Sequence, residues 1–277
     1  MHLFPQLHGL GIGWRPEVAH LVENRPDLTF VEVVSENLDS KKPLPLPIQQ
    51  LRERGLAVIP HGVSLSLGGA ERIRLKGVEH LARLAEKLGS PLVSEHIAFV
   101  RAGGVEIGHL TPLPRTQEAL EILVENVEAA KKHLPVPLAL ENIAALLDWP
   151  DNEMSESQFV TQVLELTNCP LLLDLSNVYA NAHNRHVDPR SEMLKLPLAR
   201  TAYVHMGGGI EHDGIIHDTH AAPLLPGALE LLRNFCEIKT SPSVMLERDE
   251  HFPSAEDIHA ELDRIKEAMA SGPAYAR

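Results

Sequence analysis

The chain has 277 residues, 44% of them hydrophobic, enough to bury a large core in one domain or two. Its 38 acidic side chains against 25 basic ones leave a formal net charge of -13, which argues against a nucleic-acid grip made by a basic surface. Cys169 and Cys236 form no CxxC pair and are expected as buried apolar side chains, and no apolar run reaches the roughly 18–20 residues of a membrane span.

The start, MHLFPQLHGLGIGW, has neither the basic flank nor the apolar stretch of a signal peptide, so a soluble cytoplasmic protein without membrane contact is expected. From there short apolar runs alternate with amphipathic segments. The strand candidates are 9–13, 29–36, 56–63, 91–99, 137–143, 170–178, 201–207 and 243–248. Most are near-continuous Val/Ile/Leu, as parallel strands covered on both faces require. The helix candidates between them include 75–88, 115–133, 157–166, 227–238 and 255–269. Ser155 is a candidate N-cap, and Ser254 with Asp257 resembles a capping box. The PLPLP of Pro43–Pro47 reads as a stiff loop entering a helix. Strand-then-helix units repeated eight times without a low-complexity linker predict an α/β fold, a single (β/α)8 TIM barrel over 1–277. An open doubly wound sheet is the competing arrangement.

Polar groups recur near the C-terminal ends of the apolar runs. The third carries His61, the fourth Glu95 and His96, the fifth Glu141 and Asn142, the sixth Asp174 and Asn177. The seventh carries His205, followed by His217, Asp218 and His220 in IIHDTHAAPL, and the eighth carries Glu247, then Arg248 and Asp249. In a parallel barrel those ends and the following loops form one mouth, so residues far apart in sequence should converge there. IIHDTHAAPL is expected as a mouth loop; if extended, it puts Asp218 and His220 on one face and turns His217 away. Of the neighbours Glu95 and His96, only one can face the axis, and His96 is the choice.

Alone, each residue has a plain structural explanation: a strand-end histidine in a hydrogen bond, an ion-paired Glu141, a helix-capping Asp174. Repetition on six strand ends points instead to one site for divalent cations. Imidazole and carboxylate without cysteine favour Fe, Mn or Zn over a cysteine-rich structural zinc site, and carboxylates from separate strands can bridge two ions. Asn142, Arg248 and Asp249 are candidates for orienting the ligands. The Gly207–Gly209 run is expected to permit close backbone approach, Ser64–Gly69 to form a loop over the mouth, and Trp14 and Trp149 to be packing residues.

The stretches FVEVVSEN, IPHGVSLSLGG, LVSEHIAF, LALENIAALL, LLLDLSNVYANAHN, YVHMGG, HDTHAAPL and MLERDEHFP, in that order from about Phe30 to Pro253, resemble the DUF692 family, also called UPF0276. These are multinuclear non-haem iron-dependent oxidases. The same scheme is similar to endonuclease IV and xylose-isomerase-like barrels. The resemblance implies His61, His96, Glu141, Asp174, Asn177, His205, Asp218, His220 and Glu247 as metal ligands, with Glu141, Asp174 and Glu247 central to catalysis. It implies two or three irons and dioxygen, used to modify cysteines of a ribosomally made precursor peptide, in some members with a peptide-delivery partner protein. Tyr179 and His183 are candidates for touching substrate. The family's HLAGH stands here as His205-Met206-Gly207-Gly208-Gly209, its Asn-His pair after the sixth strand as Asn184-Arg185, and its paired asparagines as Ser176-Asn177. The residues themselves leave two other readings open: a Zn- or Mn-dependent hydrolase or sugar isomerase, and a non-catalytic metal- or peptide-binding barrel.

Overall fold

A computed structural model describes residues 7–271. Its strands are β1 (Leu10–Gly13), β2 (Leu28–Val34), β3 (Ala57–His61), β4 (Val93–His96), β5 (Phe99–Ala102), β6 (Val105–Thr111), β7 (Leu138–Glu141), β8 (Leu171–Asp174), β9 (Thr201–Gly207), β10 (Ile210–His212), β11 (Ile215–His217) and β12 (Val244–Glu247). Eight of them close a parallel barrel in the order β1-β12-β9-β8-β7-β4-β3-β2. The closed cylinder excludes the open doubly wound sheet. The remaining four form two antiparallel hairpins, β5–β6 and β10–β11, on the loops after β4 and β9. Neither hairpin is apparent from hydrophobic periodicity, because β6 and β10 face solvent along most of their length and bury too little to leave a pattern.

The helices are α1 (Ala19–Glu23), α2 (Leu46–Glu53), α3 (Leu75–Leu88), α4 (Gln117–Lys131), α5 (Glu156–Thr167), α6 (Leu175–Asn184), α7 (Pro189–Leu194), α8 (Pro226–Ile238) and α9 (Ala255–Ala270). None is long and apolar enough to cross a membrane. Local chemistry sets their starts. The Pro43–Pro47 stretch leads into α2 with a proline in its first turn, where the missing N–H costs nothing. Ser155 and Gln158 make a reciprocal capping box at α5. At α9 Ser254 accepts from Asp257 N, but its hydroxyl donates to the Asp257 carboxylate, so the box is not reciprocal. Cys169 and Cys236 are buried and unpaired, and Trp149 braces the mouth side by donating from Nε1 to Pro112 O.

Two runs break well inside their length: 91–99 gives β4 only over Val93–His96, with Phe99 already in β5, and the sixth run turns to helix. Residues 170–178 are expected as a single extended segment, yet β8 stops at Asp174 and α6 begins at Leu175. The Asp174 carboxylate accepts from Asn177 N at 2.7 Å, a capping bond that turns the chain into helix at once. Asn177 therefore projects from a helix and not from a strand end.

The barrel interior is layered. Phe30, Ile59, Leu92, Ala139, Leu172, Tyr203 and Met245 fill it as an apolar plug. Two residues further along the same strands stand Glu32, His61, Ser94, Glu141, Asp174, His205 and Glu247, all 5% exposed or less. Side chains alternate across a strand with period two, so one step of two leads from plug to polar layer on the same inner face in seven of the eight strands, β1 contributing to neither.

Candidate metal centre

Strand register sets the polar layer side by side: His96 lies beside Glu141 and Asp174 beside His205. Three groups of donors result, each with ligand-type atoms within 4.8 Å of one another: His61, His96 and Glu141; Glu141, Asp174, His205 and Glu247; and His220, Glu247 and Asp249. Glu141 belongs to the first two and Glu247 to the last two, so one continuous cluster runs across the mouth. His61 Nε2 and His96 Nε2 stand 3.6 and 3.4 Å from Glu141 Oε2. His205 Nδ1 stands 3.2 Å from Glu141 Oε1 and 2.9 Å from Glu247 Oε2.

The hydrogen bonding is incomplete where such atoms gather. Glu141 Oε2, Asp174 Oδ2, Asn177 Oδ1, His205 Nδ1 and His220 Nε2 are all buried without a hydrogen-bond partner. An unpaired buried polar atom costs about 1–3 kcal/mol, more when charged. Five in one cluster, all lone-pair donors of the kind that bind hard or borderline cations, fit ions held between them.

The charges tell the same story. Burial raises the Asp174 carboxyl well above its ordinary range, and the nearby Asp218 and Glu141 carboxylates push it further. Burial would also raise Glu141 and Glu247, but the facing histidines outweigh it and hold both below the usual range. Burial lowers His96, yet the Glu141 and Glu95 charges bring it up to about 9. His205 and His220 are likewise lifted well above the ordinary imidazole range against burial, by Glu32 and Glu247 in one case and by Glu247 and Asp218 in the other. Without cations His96, His205 and His220 hold protons in the places where ions would sit.

Neighbouring side chains aim several of the donors. Glu95 Oε1 accepts from His96 N and lies 3.2 Å from His96 Nδ1, while Oε2 accepts from Leu65 N, so Glu95 orients His96 and anchors the Ser64–Gly69 loop. Asn142 grips Asp174 like a strand partner, donating to Asp174 O and accepting from Asp174 N. Asn177 donates to Asn142 O, which leaves its own Oδ1 free toward the cluster. Asp249 accepts from Arg15 and holds His220 Nδ1 at 3.1 Å.

The mouth loop differs from its expected form. Ile215–His217 is a strand of the β10–β11 hairpin, and His220 has a left-handed backbone, φ 48°. A turn, not a pleat, brings His220 Nε2 to 2.7 Å from Asp218 Oδ1. His217 remains outside the three groups. Close approach depends on the glycine run. A Cβ on Gly207 would lie 2.3 Å from the His220 ring, and one on Gly208 only 1.6 Å from Ala222 O.

Other candidates stand apart. Asp218 reaches the cluster through His220. Tyr179 lies over Gly227 with its ring 6.2 Å from that of His183, on the α6–α8 side and outside the three groups. Arg248 turns away to Glu261 on α9 at 2.6 Å, and Glu261 in turn accepts from Leu224 N, so Arg248 braces the loop after the hairpin. Glu32, Tyr203, Ser94 and Arg15 are absent from the sequence-based set. Glu32 interrupts an apolar run in TFVEVV, and the two-residue step from Phe30 marks it as inward-facing. It escapes notice because β2 runs on to Val34, so Glu32 lies mid-strand.

The family model for the RiPP precursor modification enzyme MbnB/TglH/ChrH matches residues 9–270. A UPF0276 protein of Streptomyces avermitilis is 49% identical over 268 residues, covering 94% of this chain and 55% of that protein. The chain thus spans about half the length of that relative. A UPF0276 protein of Caulobacter vibrioides is 34% identical over 269 residues, 95% of each chain. Among solved structures, a D-psicose 3-epimerase with D-fructose superposes with a TM-score of 0.58 at 13% identity, covering 95% and 97% of the two chains. A xylose-isomerase-like protein from Rhodospirillum rubrum gives 0.60 at 14%, covering 96% and 99%. At such identity the likeness is one of fold alone.

Proposed function

Because the chain belongs to the MbnB/TglH/ChrH family of RiPP precursor modification enzymes, we propose that it is a multinuclear iron-dependent oxidase that uses dioxygen to modify a cysteine of a ribosomally made peptide. The observation that carries the reading is the pair of shared carboxylates. Glu141 and Glu247 each belong to two donor groups, which suits adjacent ions bridged by carboxylate rather than one isolated ion. Bound iron would supply Lewis acidity toward a thiol sulfur and one-electron chemistry toward dioxygen.

This chain's residues do the rest. His61, His96, Glu141, Asp174, Asn177, His205, Asp218, His220 and Glu247 are the proposed ligands. Asn142, Glu95 and Asp249 hold Asp174, His96 and His220 in place. The apolar plug beneath the layer keeps bulk water from reaching it through the barrel. A separate protein that delivers the peptide belongs to the same reading. Anaerobic loading with Fe(II), followed by metal counting, oxygen uptake and peptide mass, tests it. The expected result is more than one iron per chain and oxygen uptake that requires a cysteine-containing precursor peptide. Stoichiometric zinc that iron does not displace, with no oxygen uptake, would count for a hydrolase or isomerase instead.

A further inference from the structure

Beneath the two best-buried donor groups a chain of side chains links His61 of the first to His205 of the second without passing through Glu141 or Glu247. His61 Nδ1 is 2.8 Å from Ser94 Oγ, and Ser94 Oγ is 2.8 Å from the Tyr203 hydroxyl. The Tyr203 hydroxyl is 2.5 Å from Glu32 Oε2, which also lies 3.1 Å from His205 Nε2. All five residues are 1% exposed or less, so no water competes for these bonds.

Counting protons decides their direction. A tyrosine hydroxyl has one proton and cannot donate to Ser94 and Glu32 together. The Glu32 carboxylate is an acceptor, and the bond to it is the shorter one, so Tyr203 donates there. The Ser94 hydroxyl then donates to Tyr203 Oη, which leaves Ser94 Oγ to accept from His61 Nδ1–H. At the other end His205 donates Nε2–H to Glu32. Every proton in the chain is directed at one carboxylate.

From this placement we propose that Glu32, acting through Tyr203 and Ser94, is the positioning residue that selects the metal-facing ring nitrogen of both His61 and His205. The selected nitrogens are opposite ones. His61 keeps its proton on Nδ1 and presents Nε2, whereas His205 keeps its proton on Nε2 and presents Nδ1. Both presented nitrogens face Glu141. One buried carboxylate thus orients a ligand in each of the two groups that Glu141 joins, and the two metal positions are coupled from below as well as through their bridge. The inference rests on the metal reading above but not on the identity of the metal or the reaction.

The test uses the full chain loaded with Zn(II), a diamagnetic probe, and two-bond 1H–15N correlation of 15N-labelled histidines, assigned with His61→Gln and His205→Gln. In the wild type His61 should show a protonated Nδ1 with metal on Nε2, and His205 the reverse. Tyr203→Phe leaves the Ser94 proton without an acceptor, so Ser94 turns to donate to His61 Nδ1. His61 should then lose its pattern while His205 keeps it, with affinity at the His61 position down by about 10–100-fold. Glu32→Gln should disturb both rings. Thermal melts of the metal-free variants separate misfolding from mispositioning, and Ser94→Ala, which removes the acceptor of His61 Nδ1–H without supplying a donor, should lower affinity at the His61 position less than Tyr203→Phe does. Zn(II) on the same ring nitrogen of both histidines overturns the proposal, as do folded Glu32→Gln and Tyr203→Phe proteins with wild-type ring patterns. Wild-type protein that takes up no Zn(II), Fe(II) or Mn(II) fails differently, because it removes the metal centre itself.

Discussion

The mouth and the floor of the barrel both concentrate charge, and they do so in opposite ways. On the floor, before β2, Arg25 pairs with Asp27 at 2.7 Å and with Asp263 of α9, and Lys266 adds a second partner to Asp27. Every charge there faces an opposite one, and none of these residues has a buried polar atom left unpaired. Held by Arg25, Asp27 titrates at about 2 despite partial burial. At the mouth Glu141, Asp174, His205 and Glu247 are buried, three carboxylates crowd together, and five buried donor atoms of the cluster lack a hydrogen-bond partner. A satisfied charge cluster stabilises a fold; a crowded one with unpaired donor atoms favours a ligand, because a bound cation meets those atoms where protons on the histidines offset only part of the cost.

The sharpest way to break the comparison is Glu141→Ala. If the mouth is built for bridged ions, the variant should lose more than one metal equivalent and essentially all peptide modification, read by elemental analysis and product mass. Glu95→Ala should retain the wild-type stoichiometry at saturating metal, with affinity reduced by about 10–100-fold, because Glu95 orients His96 from behind. Equal metal content in both variants would erase the distinction between bridging and orienting carboxylates.

Gly208→Ala comes next. The added methyl meets Ala222 O, a backbone atom that cannot swing aside. The loop carrying Asp218 and His220 should lift, with a destabilisation of about 1–3 kcal/mol and loss of the metal bound through His220. Urea melts read the first and metal counting the second.

A smaller effect concerns protons. In the metal-free protein His96 is protonated at neutral pH, with its pKa raised from 6.5 to about 9. Its charge therefore stabilises the metal-free fold fully below about pH 6.5, and this contribution fades as pH rises through about 9. A metal must displace that proton, so loading at pH 7 should release protons and tighten as pH rises. Calorimetric titration in buffers of different ionisation enthalpy checks this; a heat independent of buffer would deny it.

The smallest effect belongs to the floor. Asp27→Asn should cost about 0.2–1 kcal/mol at pH 7, with metal content unchanged. The depressed pKa sets the sign: the carboxylate stabilises above about pH 4, and its contribution disappears as pH falls toward about 2. Melts of wild type and variant should converge there.

Much of this was legible in the order of residues, for physical reasons. Parallel strands buried on both faces must be continuously apolar, so all eight barrel strands stand out, and helices that bury one stripe show period 3.6. Because a parallel barrel brings all its strand ends to one rim, His61, His96, Glu141, Asp174, His205 and Glu247 could be grouped before any distance was known. Three things required the tertiary structure. The hairpins leave no pattern, since they bury little. The end of β8 at Asp174 depends on a side-chain cap that competes with a good strand sequence and wins. The roles within the site, with Glu32 below it, Arg248 turned away to α9, and the glycine run as a bed for the His220 loop, depend on which atoms lie within hydrogen-bond or van der Waals reach. Periodicity along a strand records which face a residue occupies. It carries no record of what stands opposite, because that neighbour comes from a strand more than a hundred residues away in the chain, as Glu32 and His205 show.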